Sequence, residues 1–218
     1  MSGSIGVITD SLARYTNFYQ CLTQIQSPVN TQLDFRVGAD RGRSRNLLVQ
    51  ASLDRGSEWI LFLDDDHTFS PTILTTLLGK NQPVVASLYL QRTDPFLPIA
   101  YASKGDDGNY WPLDLNSCPE HGLVSVVGAG TGGMLIRSEV FHELPAPWFV
   151  HTTQQSEDLF FCDRLVEEGI PLFVDLDARL GHVAPFSIFP DWNDGTGWAA
   201  GISVSPSMKV LLDIVTPS

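Results

Sequence analysis

The chain has 218 residues, 43% of them hydrophobic, with 25 acidic against 13 basic side chains and a formal net charge of −12. The length suits one domain with a sizeable core, and the acidic balance argues against a nonspecific polyanion or membrane-surface binder. No apolar run approaches the roughly 18 residues of a membrane span, and the start, MSGSIGVITD, lacks the basic and apolar parts of a signal peptide.

SIGVIT (4–9) reads as a buried strand, and residues 11–26 carry Leu12, Tyr15, Tyr19, Leu22 and Ile25 at helical spacing. QLDFRV (32–37) alternates and reads as a second strand. Ser44 is placed to cap a helix through RNLLVQASLDR, stopped by Gly56. EWILFL (58–63) is a third strand. Ser70 and Pro71 open a helix, SPTILTTLLGK, and PVVASLY (83–89) is a fourth strand. Strand and helix alternate, the pattern of βαβ units and a mainly parallel sheet. Residues 91–122 are rich in Pro, Gly, Asp and Asn. LVSVVG (123–128) and MLIR (134–137) then read as strands around the small-residue turn AGTGG. A helix is expected from Ser156 to Glu168, closed by Gly169, with PLFVDL and ARLGHV as late strands. The tail from Ala184 holds Phe186, Phe189, Trp192 and Trp198 with no evident period. It reads either as a lid or acceptor platform or as an ordinary packed tail. The organisation is a single domain, 1–218, with a nucleotide-binding half (1–90), an acceptor and catalytic half (91–183) and the tail (184–218). Three scattered cysteines, Cys21, Cys118 and Cys162, suit free thiols in a reducing compartment, so a cytoplasmic location is expected.

The run EWILFLDDDHTF (58–69) drives an apolar strand into Asp64, Asp65 and Asp66, followed by His67. Adjacent carboxylates repel, so a positive partner is expected. If the chain stays extended, Asp64 and Asp66 point the same way, and their oxygens suit Mg²⁺ or Mn²⁺. The competing reading is a solvated acidic turn. An EF-hand loop beginning at Asp64 needs Gly at 69 and Glu at 75, where this chain has Phe69 and Thr75. The letters also fit the D-x-D-x-T pattern of haloacid-dehalogenase-like phosphatases, with Asp64 as nucleophile and Asp66 as acid/base. That class carries its motif on the first strand, whereas here it ends the third.

Four of the 13 basic side chains, Arg36, Arg41, Arg43 and Arg45, fall within ten residues. They read as a loop that receives a phosphate, or as a solvated basic loop. In SEDLFFCDRLVEEG (156–169), Glu157 and Asp158 occupy the first helical turn. They serve the helix dipole, or one of them reaches a cleft as general base. Cys118 and His121 form a C-x-x-H with no matching pair, which excludes a zinc site of that type. GAGTGG (128–133) lacks the G-K-[ST] ending of a phosphate loop.

In combination these fragments resemble the GT-A class of glycosyltransferases, family-2-like members in particular. The resemblance rests on IGVITDS, RSRNLLVQAS, WILFLDDDHTF with its D-x-D, GTGGMLIRSEVF, and SEDLFFCDRL followed by GHV, in that order over residues 4–183. It implies a GT-A (nucleotide-diphospho-sugar transferase) fold, a Rossmann-like, mainly parallel sheet with helices on both faces. It implies sugar transfer from a nucleotide-diphosphate sugar, UDP-sugar favoured, to an acceptor that is protein, glycan or modified base. Thr9, Asp10, Asp40, Arg43, Arg45, Asn46, Asp64, Asp65, Gly132 and Gly133 would bind the donor. Asp64, Asp66 and His182 would hold Mn²⁺ or Mg²⁺. Asp158, with Glu157 beside it, would be the catalytic base of an inverting enzyme. The third aspartate departs from D-x-D and leaves Asp65 to share or shift these roles. A non-catalytic nucleotide-sugar-binding module is the remaining alternative.

Overall fold

The computed structural model describes residues 1–9, 15–93, 95–184, 187–205 and 208–213. In chain order the first half contains β1 (Gly3–Thr9), α1 (Thr16–Gln24), β2 (Thr31–Val37), α2 (Arg41–Asp54), β3 (Trp59–Asp64), β4 (His67–Thr68), α3 (Ile73–Gly79) and β5 (Val84–Leu88). Then come β6 (Ala100–Lys104), β7 (Tyr110–Pro112), β8 (Leu123–Val126), β9 (Gly128–Ala129), β10 (Gly133–Arg137), α4 (Ser138–Glu143) and α5 (Glu157–Glu167). The chain closes with β11 (Leu172–Arg179), β12 (Gly181–Val183), β13 (Ser187–Asn193), β14 (Gly197–Ser205) and β15 (Met208–Asp213).

A seven-stranded sheet in the order β2-β1-β3-β10-β5-β11-β8 forms the centre. β2, β1, β3, β5 and β11 run one way, and β10 and β8 oppose them. From Trp59 to Leu63, β3 is apolar without interruption because both sheet faces are covered. Ile60 and Phe62 point to a core that includes Leu48 of α2, Phe141 of α4 and Phe161 of α5. Trp59, Leu61 and Leu63 point to the other core, with Phe18 of α1 and Leu77 of α3. The period of two within β3 therefore divides one run of side chains between two hydrophobic layers. This is the expected α/β sandwich of a mostly parallel sheet.

Besides β6, β7 and α4, for which the sequence reading placed no element, three parts of the chain differ from it. First, α2 begins at Arg41, not after Ser44, because the Asp40 carboxylate accepts from the Arg43 backbone N–H at 2.9 Å and caps the helix four residues earlier. Arg41, Arg43 and Arg45 thus stand on helical turns, and the basic loop does not exist as a loop. Second, α3 starts at Ile73, since Ser70 Oγ accepts from Thr72 N at 3.3 Å and closes a turn first. Third, the tail, read as having no evident period, is largely β structure over its described residues. β4, β12, β13, β14 and β15 form an antiparallel sheet. Asn193–Gly197 is the hairpin turn between β13 and β14, with Gly197 at φ +90°. Trp192 and Trp198 flank it as a cross-strand pair with ring centroids 5.6 Å apart. Pro190 and the glycines hid the alternation. Ile188 and Trp198 lie in the main core, and Phe186 falls outside the described residues.

The β6–β7 hairpin is tied to α5. Lys104 Nζ lies 2.7 Å from Asp163 Oδ2, and the Tyr110 hydroxyl donates to the same carboxylate. Ser156 caps α5 and Gly169, at φ +68°, ends it, so its first turn is held at the edge of the sheet.

Candidate active site and metal centre

A cleft of about 1220 Å³ opens beyond the C-terminal ends of β1 and β3. Its floor includes Thr9 and Asp64 to Asp66. Its walls are the first turn of α2 and the segment Ala146–His151. Open α/β sheets place ligands at such strand ends.

The three carboxylates leave β3 in three directions. The chain turns at Asp65 and Asp66, so the extended geometry that would put Asp64 and Asp66 on one side ends at Asp64. Asp64 Oδ1 accepts from Arg45 Nη2 at 3.1 Å. Asp65 is buried and accepts from Thr9 Oγ1 at 2.6 Å. Asp66 turns to His67 and His182. Each carboxylate has its own partner, which relieves the repulsion of the run.

Asp66, His67 and His182 each offer a ligand atom, and these atoms lie within 4.8 Å of one another. The pairing of β4 with β12 sets His67 directly opposite His182, with ring centroids 4.7 Å apart. His182 Nδ1 lies 2.8 Å from the Leu90 carbonyl. A carbonyl only accepts, so Nδ1 carries the proton, and the Nε2 lone pair faces Asp66 Oδ2 at 3.5 Å. Both His67 nitrogens are buried without a hydrogen-bond partner, a state that costs about 1–3 kcal/mol per group. Burial pushes the His67 imidazole down to about 4, so it is neutral at pH 7 and offers a lone pair. Burial raises the Asp66 carboxyl, but His182 and His67, once protonated in acid, and the Arg92 guanidinium hold it well below the usual carboxylate range. Arg92 Nη2 lies 3.3 Å from Asp66 Oδ2.

This donor set fits a divalent ion. Two imidazoles and one carboxylate suit Mn²⁺ better than Mg²⁺, which prefers oxygen ligands. Asp64 is not part of the group. His67, which the sequence reading did not select, is. The signal available was its place directly after the aspartates, but only the β4–β12 pairing brings it to His182.

Gly132 lies against this group. A Cβ there would come within 2.6 Å of His67 Cε1 and 3.0 Å of Asp64 Oδ2. Gly133 is equally confined, 2.4 Å from Leu180 Cδ1 by the same measure. Both glycines thus shape the site by lacking a side chain.

Arg45 is the hub on the other side. Its side chain is 1% exposed. Nε lies 3.7 Å from both Glu157 Oε1 and Asp158 Oδ1. Burial works against its charge, and Asp64, Asp158 and Glu157 outweigh that effect. Asp158 also accepts from Thr131 Oγ1 at 2.6 Å. Burial pushes the Asp158 carboxyl up to about 6; Arg45 opposes the rise, and Glu157 and Asp64 add to it. Arg45→Ala should leave three carboxylates facing one another. We expect a stability loss of about 3 kcal/mol, the lower end for a broken buried pair because Asp64 and Asp158 keep 29% and 24% exposure. Urea denaturation measures it, and an unchanged midpoint would contradict the hub.

The other expected donor residues are spread along the cleft. Asp40 is the α2 cap, and Arg43 stands exposed in the first turn behind it. Asn46 uses its amide fully. Nδ2 donates to the carbonyls of Gly42 and Phe149, and Oδ1 accepts from the Trp148 and Phe149 N–H groups. With all four hydrogen-bonding positions engaged, Asn46 clamps the cleft wall. Asp10 lies outside the described residues. Glu157 is buried, with Oε2 3.6 Å from His151 Nδ1.

No protein-family model matches the chain, and no curated protein matches it in sequence. Solved structures do match in fold. A197 from STIV aligns over 100% of this chain and 97% of its own, with 15% identity and a TM-score of 0.61. GalNAc-T7, solved with UDP, GalNAc and Mn²⁺, aligns over 84% of this chain and 44% of its own, with 10% identity and a TM-score of 0.62. TarS from S. aureus aligns over 85% of this chain and 61% of its own, with 15% identity and a TM-score of 0.54. At these identities the likeness concerns the fold, which is that of the GT-A glycosyltransferases.

Proposed function

We propose that this single-domain chain transfers a sugar from a nucleotide-diphosphate sugar, UDP-sugar favoured, to an acceptor hydroxyl with inversion, using Asp158 as base. One observation carries the reading. Arg45 holds Asp64 and Asp158 on a single guanidinium, while Asp66, two residues along, belongs to the Asp/His metal group. The donor-side strand end and the candidate base are thereby fixed to each other.

Asp158 remains ionised at neutral pH yet is a stronger base than an ordinary carboxylate, which suits removal of a proton as the acceptor oxygen attacks. Thr131 and Arg45 orient it. An ion held by Asp66, His67 and His182 would supply the Lewis acid that neutralises a diphosphate leaving group. Arg43 and the N-terminal end of α2 form an anion-attracting wall for the nucleotide or its phosphates. Arg43→Ala should therefore weaken UDP binding by about 1.5–3 kcal/mol, read by calorimetric titration. Unchanged affinity would assign Arg43 to the solvated surface.

The phosphatase reading requires Asp64 and Asp66 to face one substrate, and the turn after Asp64 parts them. A binding module would hold donor without hydrolysing it. Among the described residues no helix is long and apolar enough to cross a membrane, and the free thiols keep the cytoplasm as the proposed location. A thermal-shift screen of UDP, GDP and dTDP sugars with and without Mn²⁺ tests the proposal, since native-state ligands raise the melting temperature. We expect stabilisation by one donor class that requires Mn²⁺; no shift with any donor would overturn the reading.

A further inference from the structure

β2 is the outer strand of the central sheet, and no described strand pairs with its free edge. A free edge presents unpaired N–H and C=O groups, which natural chains blunt with short strands, proline or inward charge. β2 is seven residues long and contains no proline. On one face it exposes Leu33 at 47%, Phe35 at 42% and Val37 at 56%. Their partners on β1 are Ile5, Val7 and Thr9, and Ile5 and Val7 pack with α1 and α3. The exposed stripe therefore continues a core face past its cover. Tyr19 of α1 stacks on Phe35 at 6.4 Å between centroids and leaves much of the ring in solvent.

The alternate residues, Asp34 and Arg36, point to the opposite face. Arg55 of the same chain pairs with Asp34 and holds its carboxylate there. Leu33-Asp34-Phe35-Arg36-Val37 is thus symmetric about Phe35 in its apolar residues and complementary in its charges.

We infer that β2 pairs antiparallel with β2 of a second copy of this chain, across a twofold axis at Phe35. In that register Phe35 faces Phe35, Leu33 faces Val37, and Asp34 faces Arg36 on both sides of the axis. Apolar and opposite-charge cross-strand pairs stabilise a sheet, and like charges directly opposite destabilise it. A twofold perpendicular to the sheet keeps side-chain faces matched, so the axis falls on a residue. Moving it to Asp34 sets Asp34 against Asp34, and moving it to Arg36 sets Arg36 against Arg36. The charges therefore favour the Phe35 register over its two neighbours. The cleft lies beyond the C-terminal end of β2, where Gly38 and Ala39 line it. Antiparallel pairing points the two clefts in opposite directions and leaves both open.

Analytical ultracentrifugation of the full chain tests this. We expect a concentration-dependent species of twice the 24.0 kDa chain mass. Phe35→Lys places like charges at the axis and should raise the dimer dissociation constant at least about tenfold, with an unchanged circular dichroism spectrum. Cysteine substitution reads the register even where Phe35→Lys disturbs folding. Under mild oxidation Phe35→Cys should give a covalent dimer, Leu33→Cys alone should not, and Leu33→Cys combined with Val37→Cys should. The unsubstituted chain, with its three free cysteines, is the control. A wild-type chain that stays monomeric, a dimer that survives Phe35→Lys intact, or equal cross-linking from Leu33→Cys and Phe35→Cys would each overturn the inference.

Discussion

Asp158→Asn is expected to fold, to bind donor and Mn²⁺ nearly as the wild type does, and to lose at least about a hundredfold in transfer rate. General base catalysis contributes roughly 10²–10⁴-fold. Asparagine keeps the shape and still accepts from Thr131 Oγ1, which lies 2.6 Å from Asp158 Oδ1. As a helix-dipole partner alone, Asp158 would matter to stability by about 0.3–1 kcal/mol and to the rate hardly at all. The pH profile separates the two roles. The Asp158 carboxyl is raised to about 6, chiefly by burial. Below that pH it binds a proton and cannot accept one from the acceptor, so the wild-type rate should fall as pH drops through about 6. The asparagine variant should lack that limb. Glu157→Gln changes charge in the same turn and should cost less, since Glu157 faces Arg45 and His151. A fully active Asp158→Asn would leave the acidic helix start as a cap and favour a retaining mechanism.

The second large effect concerns the metal group. Asp66→Ala should abolish measurable Mn²⁺ binding in calorimetry and reduce transfer by at least about 10³-fold, the equivalent of several kcal/mol of leaving-group stabilisation. His67→Ala should match it, because His67 stands in the same trio. Asp64→Ala should leave Mn²⁺ affinity of the nucleotide-free chain intact, because Asp64 pairs with Arg45. Full turnover by EDTA-treated protein would remove the metal from the mechanism. Loss of Mn²⁺ affinity in Asp64→Ala with retention in His67→Ala would restore the simple D-x-D assignment.

The sequence by itself determined the layered architecture. β1, β3, β5 and α5 lie within a residue or two of their expected bounds, because apolar periodicity, Ser156 and Gly169 are local signals that act within one turn or one strand. It also determined that carboxylates gather where β3 ends, since an apolar run stopping at Asp64 needs no distant partner to be recognised. What each carboxylate does was decided by tertiary structure. Alternation along an extended chain predicts Asp64 beside Asp66, and the turn at Asp65 cancels it. His67 becomes a candidate ligand only because β4 pairs with β12, which brings it to a residue 115 positions further along the chain, His182. Arg45 looks like a phosphate-binding arginine in a linear reading. Burial beside Asp64, Glu157 and Asp158 makes it a structural cation instead. The β13–β14 hairpin escaped notice because its ladder lies between segments whose alternation Pro190 and the glycines interrupt. Local periodicity records which face of an element is covered; which charges meet across that cover depends on long-range pairing that no short window of sequence contains.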